Sequence, residues 1–187
     1  ATLARLINAR IDRARSIRAT AHRDDLTGLL NADALTDELE RALGFSRRSG
    51  ETGCLLVVDI DHFRRVNERF GHPNGDLALS RVATMLAASV RASDLTARLG
   101  GEEFAAVIRQ CRVEDAVRLA EKFRRAVADL ELVTGNDQIR VKVSIGISCY
   151  PDHGATATDL IRAAERALAN AKSAGRDRVV VAGAPEG

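Results

Sequence analysis

Two adjacent glutamates that follow a pair of glycines are the residues of this chain best placed to do chemistry. Glu102 and Glu103 belong to the run GGEEF at residues 100–104, which lies between two short apolar segments, 94–99 and 104–108. Two strand-like segments joined by Gly-Gly predict a β-hairpin, because a tight two-residue turn needs positive φ. Paired carboxylates at such a tip suit a divalent cation, proton abstraction, or both. A solvated hairpin tip is the alternative that this stretch alone leaves open.

Two further carboxylates, Asp59 and Asp61, follow the continuous apolar run Cys54–Val58. Such a run predicts a central strand that is covered on both faces. A carboxylate at the end of a buried strand is costly unless it is paired or bound to metal, which favours Asp59 as a metal ligand. For Asp61 the sequence favours a different role, the N-cap of a helix predicted over residues 62–70.

Asn67 and Asp76 flank a sharp break in the chain, residues 71–75, which joins two predicted helices. An amide and a carboxylate together can read the Watson–Crick edge of guanine. The alternative is a solvated asparagine and an aspartate that stabilises a helix N-terminus.

Cationic side chains gather near the end of the last predicted helix. Lys172 and Arg176, with Arg178, could bind phosphate groups, or could simply interact favourably with the helix dipole. Both interpretations stay open at this point.

The hydrophobic periodicity predicts the elements that must position these residues. Helices are expected over about 32–48, 113–130 and 157–173, a loop over 131–138, and strands over 139–150 and 179–181. With the hairpin, this order predicts a mixed α/β sandwich of the α+β kind, one sheet flanked by helices. The chain carries no P-loop and no glycine-rich βαβ fingerprint, which excludes Walker-type and Rossmann sites.

The predicted domain organisation has three parts. Residues 1–22 are expected to form a helical linker, the stub of a coiled coil, because their apolar seam is too narrow to be buried alone. A frayed chain end is the alternative. Residues 23–182 are expected to form one catalytic domain, and residues 183–187 a disordered tail.

The composition of the 187 residues narrows the class of protein. A formal net charge of +2, 3% aromatic residues and no tryptophan argue against nucleic acid as a partner. Cys54, Cys111 and Cys149 are odd in number and lie in apolar surroundings, which predicts core thiols in a reducing cytosol. No signal peptide or membrane-spanning segment is evident, so a cytoplasmic domain is expected, from a full-length protein that is either soluble or membrane-anchored.

These stretches together resemble the GGDEF family of bacterial diguanylate cyclases. The resemblance covers residues 24–182 and rests on the motifs Asp25-Leu-Thr-Gly-Leu-Leu-Asn31, Asp59-Ile-Asp-His-Phe63 with Asn67, Gly71-His72, Gly75-Asp76, Ala97-Arg98 before GGEEF, Val143-Ser-Ile-Gly146, and Lys172 with Gly175-Arg176. It implies a palm fold related to nucleotidyl cyclases and polymerases. It also implies that two GTP molecules are joined into cyclic di-GMP, with release of two pyrophosphates, across a homodimer in which each subunit supplies half of the site.

The resemblance further implies roles for individual residues. Asp59, the Ile60 carbonyl and Glu103 would hold Mg²⁺, for which Mn²⁺ would be a substitute, with Glu102 beside the metal as candidate general base for the ribose 3′-OH. The residues implied for substrate binding are Phe63, Arg64, Asn67, His72, Asp76, Gly101, Lys172 and Arg176. Arg91 and Asp94 match an RxxD motif that binds the product and inhibits the enzyme.

Four departures from the family pattern leave the rate uncertain: Arg64 for a usual Lys, Ala32 for Arg, Ala169 for Tyr and Asp177 for Asn. None of them affects the implied metal or guanine ligands, so an active cyclase is expected. The alternative is a catalytically weak domain that acts as a receptor for GTP or cyclic di-GMP. An upstream sensory module, not contained in this sequence, is expected to control either one.

Overall fold

The computed structural model describes residues 22–135 and 137–183. All of the predicted linker except its last residue lies outside these ranges, as does all of the predicted tail except its first. The helices and strands are α1 Ala32–Ser49, β1 Gly53–Ile60, α2 Phe63–Phe70, α3 His72–Ser89, β2 Leu95–Gly100, β3 Glu103–Arg109, α4 Val113–Ala128, β4 Leu132–Thr134, β5 Asp137–Ile139, β6 Val143–Tyr150, α5 Ala157–Ser173 and β7 Val179–Val181.

The main sheet has five strands in the order β2-β3-β1-β6-β7. β1 lies at the centre and pairs antiparallel with both β3 and β6, whereas β7 joins β6 in parallel. All eight residues of β1 are buried, as its continuous apolar sequence predicts. The predicted mixed α+β fold, one sheet flanked by helices, is confirmed.

Helices cover both faces of the sheet, and the alternation of side chains along β1 decides which helices each residue meets. Leu56 and Val58 belong to one core cluster, together with residues of α2, α3 and α4. Leu55 and Val57 belong to a second cluster, with residues of α1 and α5. Asp59 lies two residues beyond Val57 and four beyond Leu55, so its side chain is on the same face of the sheet as theirs, the face that α5 covers.

Close packing between β6 and α5 depends on one glycine. A Cβ added at Gly146 would lie 2.1 Å from the carbonyl oxygen of Ala164 and 2.4 Å from the amide nitrogen of Leu168. Both are backbone atoms that cannot move aside, so only glycine allows this approach. The contact brings the C-terminal end of α5, with Lys172, to the edge of the sheet where β1 ends.

Two predictions about residues 131–150 were wrong in detail. The expected loop contains a short antiparallel hairpin, β4 and β5, and the expected long strand is divided between β5 and β6. Ile139 pairs with Leu132 instead of extending β6. Local alternation is the same in one long strand and in two short ones, so it could not locate this division.

The cysteine prediction was also wrong for two of the three residues. Cys54 on β1 and Cys149 on β6 lie directly opposite each other, and their sulfur atoms form a disulfide. Cys111 is a free, buried thiol, as expected. The cysteines of the pair are 95 positions apart in the chain, so their partnership depends on strand register.

Across the described ranges, no helix combines the length and apolar character needed to cross a bilayer.

Candidate active site

The acidic side chains at the end of β1 and the start of β3 face each other. Asp59 and Glu103 are direct partners in the antiparallel register of these strands. Asp59 is 6% exposed, and its Oδ2 lies 2.8 Å from the Nζ of Lys172 on α5. The structure therefore brings together three side chains that the sequence singled out, from positions 59, 103 and 172.

Both carboxyls of this pair are harder to ionise than usual. Burial raises the pKa of Asp59, and the charges of Glu102 and Asp61 raise it further, although Lys172 opposes the shift. Loss of hydration likewise raises the pKa of Glu103, and repulsion from Asp59 adds to the effect. Negative charge is thus concentrated here beyond what Lys172 neutralises, which favours binding of an additional cation.

The glycines of the GGEEF run form the turn between β2 and β3, but the turn lies one residue later than predicted. Gly100 and Glu103 pair with each other, so Gly101 and Glu102 occupy the tip. Both glycines have positive φ, 145° and 50°, as the sequence predicts. The backbone carbonyl of Glu102 accepts a 3.2 Å hydrogen bond from the amide of Ile60, which ties the turn to the end of β1.

Arg98 holds this turn in place, a role that sequence reasoning missed. Its Nη2 donates to the carbonyl of Gly101 at 2.7 Å, and its Nη1 lies 3.2 Å from Asp24. Asp24 in turn accepts hydrogen bonds from the amide and hydroxyl of Thr27. Arg98 belongs to the Ala97-Arg98 motif and Asp24 directly precedes the Asp25-Leu-Thr motif, but only the fold joins these positions, which are 74 residues apart.

Asn67 and His72 line a pocket of about 440 Å³ beside the turn, whereas Asp76, which was also expected to bind guanine, is not among its lining residues. The lining residues include Phe63, Arg64, Asn67, His72, Gly101 and Glu102. Asp76 is exposed and lies one helical turn beyond His72 on α3. The two sides of the predicted helix-turn-helix are therefore adjacent to the hairpin tip.

Asn67, which lines this pocket, has an unsatisfied acceptor. Its Oδ1 is buried and meets no hydrogen-bond donor within the part of the chain that the structure describes. A Cβ at Gly75 would lie 1.9 Å from this oxygen, so the glycine makes room for it. An orphaned buried acceptor is costly, and an N–H group of a bound ligand would remove that cost.

Asp61 is not the helix cap that the sequence favoured. His62, with φ 56°, is the N-cap of α2, and it makes no side-chain capping bond. Asp61 instead accepts hydrogen bonds from the Ser144 hydroxyl at 2.7 Å and from the Asp177 amide at 3.0 Å. A buried carboxylate at the strand end thus links β1, β6 and the loop after α5.

Asp177 anchors the same loop from its other side. Its carboxylate pairs with Arg124 of α4 and, at 2.7 Å, with Lys142. Burial by itself raises its pKa, but hydrogen bonds from Lys142 and Arg124 dominate and hold the pKa below the ordinary 3.8. The sequence offered no signal for this network beyond the unusual Asp at position 177.

The two residues expected to bind triphosphate occupy different surroundings. Lys172 contacts Asp59, whereas Arg176 lines a separate cavity together with Asp61 and Asp177. Arg176 has positive φ, 64°, in the loop that Asp61 and Asp177 fix. The fold places them around the β1 end but not in one pocket.

Arg91 and Asp94 lie at the opposite end of the hairpin. β2 runs for six residues between Asp94 and the turn, about 20 Å at the usual rise of a strand. Asp94 is 8% exposed, and its two oxygens accept hydrogen bonds from the amides of Arg91 and Arg109. Both residues line a cavity of about 290 Å³.

The donor atoms at the β1 end suit a hard divalent cation. Carboxylate and carbonyl oxygens from Asp59, Ile60 and Glu103 are the ligands that Mg²⁺ prefers. Among the described residues no three metal-binding side chains are clustered, so the side chains alone form no complete cage. The repulsion between Asp59 and Glu103 nevertheless fits a site that water and phosphate oxygens complete.

Fold and motifs define the class of this protein. The family model for the diguanylate cyclase GGDEF domain matches residues 21–178. The chain belongs to the GGDEF domain family, which confirms the resemblance inferred from the motifs.

Named relatives and solved structures are consistent with this assignment. The chain is 36% identical over 159 residues to the response regulator PleD of Caulobacter vibrioides, covering 84% of this chain and 35% of PleD. It is 39% identical over 154 residues to the bifunctional diguanylate cyclase/phosphodiesterase MucR of Pseudomonas aeruginosa, covering 82% and 22%. The chain therefore spans about a third or less of these relatives.

The structure superposes on the coiled coil and GGDEF domain of DgcB from Caulobacter crescentus, solved in complex with c-di-GMP. The TM-score is 0.86 at 30% identity, over 97% of this chain and 99% of that one. The match extends the likeness from the motifs to the fold of the domain.

Proposed function

We propose that this domain is a diguanylate cyclase, which condenses two GTP molecules into cyclic di-GMP and releases two pyrophosphates. The observation that carries the proposal is the facing pair of Asp59 and Glu103, whose raised pKa values favour an added cation. The pocket of Asn67 and Glu102 adjoins this pair at the hairpin turn. Family membership and named cyclase relatives support the same activity.

Guanine binding is assigned to the pocket beside the turn. The unpartnered Asn67 Oδ1 would accept an N–H from the base, and the Asp76 carboxylate would accept from the remaining edge donors. His72 and Phe63 would enclose the base, while Arg64 and Gly101 would border the ribose and phosphates. This arrangement selects guanine over adenine, whose edge presents a different donor pattern.

For the chemistry, Asp59, the Ile60 carbonyl and Glu103 would hold Mg²⁺, with Mn²⁺ as a possible substitute. The bound ion would offset charge on the triphosphate and on the attacked α-phosphorus. Glu102, at the tip of the turn, would accept the proton of the ribose 3′-OH. Lys172 and Arg176 would bind the phosphates that leave as pyrophosphate.

The product contains two nucleotides, so two such half-sites must meet in a homodimer. The domain would then be active only to the extent that the dimer is populated. We assign residues 1–22 to a linker that brings the domains together, 23–182 to the catalytic domain and 183–187 to a tail. An upstream sensory module, in a cytoplasmic or membrane-anchored protein, would govern this step.

Product inhibition is assigned to Arg91 and Asp94. The Arg91 side chain would pair with the guanine or phosphate of cyclic di-GMP, while Asp94 already fixes the backbone of this turn. An Arg91→Ala variant is expected to keep its turnover and to lose inhibition by added cyclic di-GMP.

A receptor for GTP or cyclic di-GMP, without turnover, is the second candidate. The structural feature that favours it is the pairing of Asp59 with Lys172, whose ammonium group would compete with a metal ion for this carboxylate. A receptor of this kind would bind GTP without converting it.

The deciding experiment incubates the purified chain with GTP and Mg²⁺ over a range of protein concentrations. Chromatography and mass spectrometry identify the product, and a Glu103→Gln variant serves as control. Cyclic di-GMP that rises faster than linearly with enzyme is expected. Binding of GTP without turnover, with Mn²⁺ as well as Mg²⁺, would establish the receptor instead.

A further inference from the structure

A second concave site lies on the other side of α2 from the Asn67 pocket. It has a volume of about 480 Å³. We call it the basic groove and define it by its five cationic side chains: Arg65, Arg69, Arg140, Lys142 and Arg176. Arg65 and Arg69 are one helical turn apart and therefore project from the same face of α2.

The groove contains two carboxylates, Asp61 and Asp177, and the fold already engages both. Asp61 accepts hydrogen bonds from Ser144 and from the Asp177 amide, and Asp177 pairs with Arg124 and Lys142. Arg124, which does not line the groove, neutralises part of the negative charge of Asp177. The balance of charge within the groove is positive.

Three of its guanidinium groups have no counter-ion within the described residues. Arg140 pairs with Glu131 and Lys142 with Asp177, but no carboxylate of residues 22–135 and 137–183 lies within ion-pairing distance of Arg65, Arg69 or Arg176. Arg69 packs over the ring of Phe70, with 4.8 Å from its Cζ to the ring centre. Unpaired guanidinium groups around a cavity suit an anion with several oxygens, since each can donate in a bidentate way.

We propose that the basic groove binds inorganic pyrophosphate, the product that leaves the active site. A compact anion fits a bounded cavity better than a nucleic acid, for which the groove presents no free aromatic platform, because Arg69 covers Phe70. Arg176 belongs both to the groove and to the residues assigned to the triphosphate. This identity of the ligand rests on the proposed cyclase function.

The loop that carries Arg176, four residues beyond Lys172, begins directly after α5 and lines the groove. Arg176 and Asp177 both have positive φ, and Asp61 and Asp177 hold this loop against β1 and β6. A pyrophosphate released beside Lys172 would meet Arg176 first and then the arginines of α2. The groove would thus retain pyrophosphate after bond formation and delay its escape.

The test measures pyrophosphate binding by calorimetry in metal-free buffer, with no nucleotide present. The double variant R65Q/R69Q is compared with R162Q/R166Q, which removes two exposed arginines of the same spacing from α5, outside the groove. We expect the groove variant to lose at least about tenfold in affinity, as charge-assisted hydrogen bonds are removed. The control variant should bind as the wild type does.

A second measurement follows inhibition of GTP turnover by added pyrophosphate at constant free Mg²⁺. R65Q/R69Q should raise the inhibition constant by a similar factor, with less than about a twofold change in KM for GTP. Unchanged pyrophosphate affinity in R65Q/R69Q, with a loss only in K172Q, would overturn the proposal. Binding of R65Q/R69Q to DNA and to phosphatidylglycerol vesicles is measured as well. If this variant loses either of these interactions but keeps wild-type affinity for pyrophosphate, the proposal is also overturned.

The two measurements separate this proposal from the proposed function. If the chain makes no cyclic di-GMP but R65Q/R69Q loses pyrophosphate affinity, the basic groove is a phosphate-binding site and the cyclase function is refuted. If the chain makes cyclic di-GMP but R65Q/R69Q binds pyrophosphate as the wild type does, the cyclase function stands and the pyrophosphate site in the basic groove is refuted.

Discussion

Two carboxylate networks at the end of β1 use the same kind of side chain in opposite ways. Asp59 faces Glu103 across the strands, and each has a raised pKa. Asp177, on the loop that Asp61 holds, is surrounded by Arg124 and Lys142 and has a lowered pKa. The Asp59–Glu103 network therefore has more negative than positive charge, whereas Arg124 and Lys142 neutralise the charge of Asp177.

This difference separates a site that awaits a ligand from one that holds the fold. Asp59 and Glu103 gain most from a charge supplied from outside, which is the condition for metal binding. Asp177 gains nothing further, because its partners are built in. The contrast can be tested by removing one member at a time.

The largest effect is expected for Asp59→Asn. The substitution keeps the shape of the side chain but removes the charge that would hold the metal, so turnover should fall by at least about a thousandfold. Circular dichroism should show an unchanged fold. A variant that retains a tenth of wild-type turnover would refute a metal role for Asp59.

The next effect is expected for Asp177→Ala, and it concerns stability first. Arg124 has a 17% exposed side chain, and it would lose one of its two carboxylate partners. The free energy of unfolding in urea should fall by about 2 kcal/mol. Asp177→Asn, which retains a hydrogen-bond acceptor, should lose less, and equal losses in both variants would show that acceptor geometry is irrelevant here.

A pH titration should expose the same network. Because its folded-state pKa lies below 3.8, Asp177 contributes stability that is fully present above that pH. The contribution is lost as the pH falls through the lowered value. The unfolding free energy of Asp177→Asn should therefore depend less steeply on pH below about 4 than that of the wild type. Parallel slopes would assign the acid sensitivity to other carboxyls, such as Asp24, whose pKa is also lowered.

The smallest effect is expected for Arg64→Lys, which introduces the residue usual in the family. The Arg64 side chain is 89% exposed and pairs with Glu68 on its own helix, at 2.7 Å. Since exposed ion pairs contribute little, the KM for GTP should change by less than about threefold. A tenfold change would show that substrate binding needs the planar guanidinium group of Arg64 and not only its positive charge.

The sequence by itself determined most of the elements and the chemistry of the residues they carry. Continuous apolar residues before Asp59 predicted a buried central strand, and Gly100-Gly101 predicted the turn to within one residue, because these signals arise from contacts between near neighbours. The motifs identified the family, since each needs particular residue types at fixed spacing.

Only the tertiary structure decided which of these residues meet. The facing of Asp59 and Glu103 depends on strand register, and the Arg98–Asp24 pair and the Cys54–Cys149 disulfide join distant positions in the same way. Asp61 satisfied every local criterion for a helix cap, yet Ser144 and Asp177 bind it instead. Such partnerships are set by how helices and strands pack, and no local pattern of residues encodes that information.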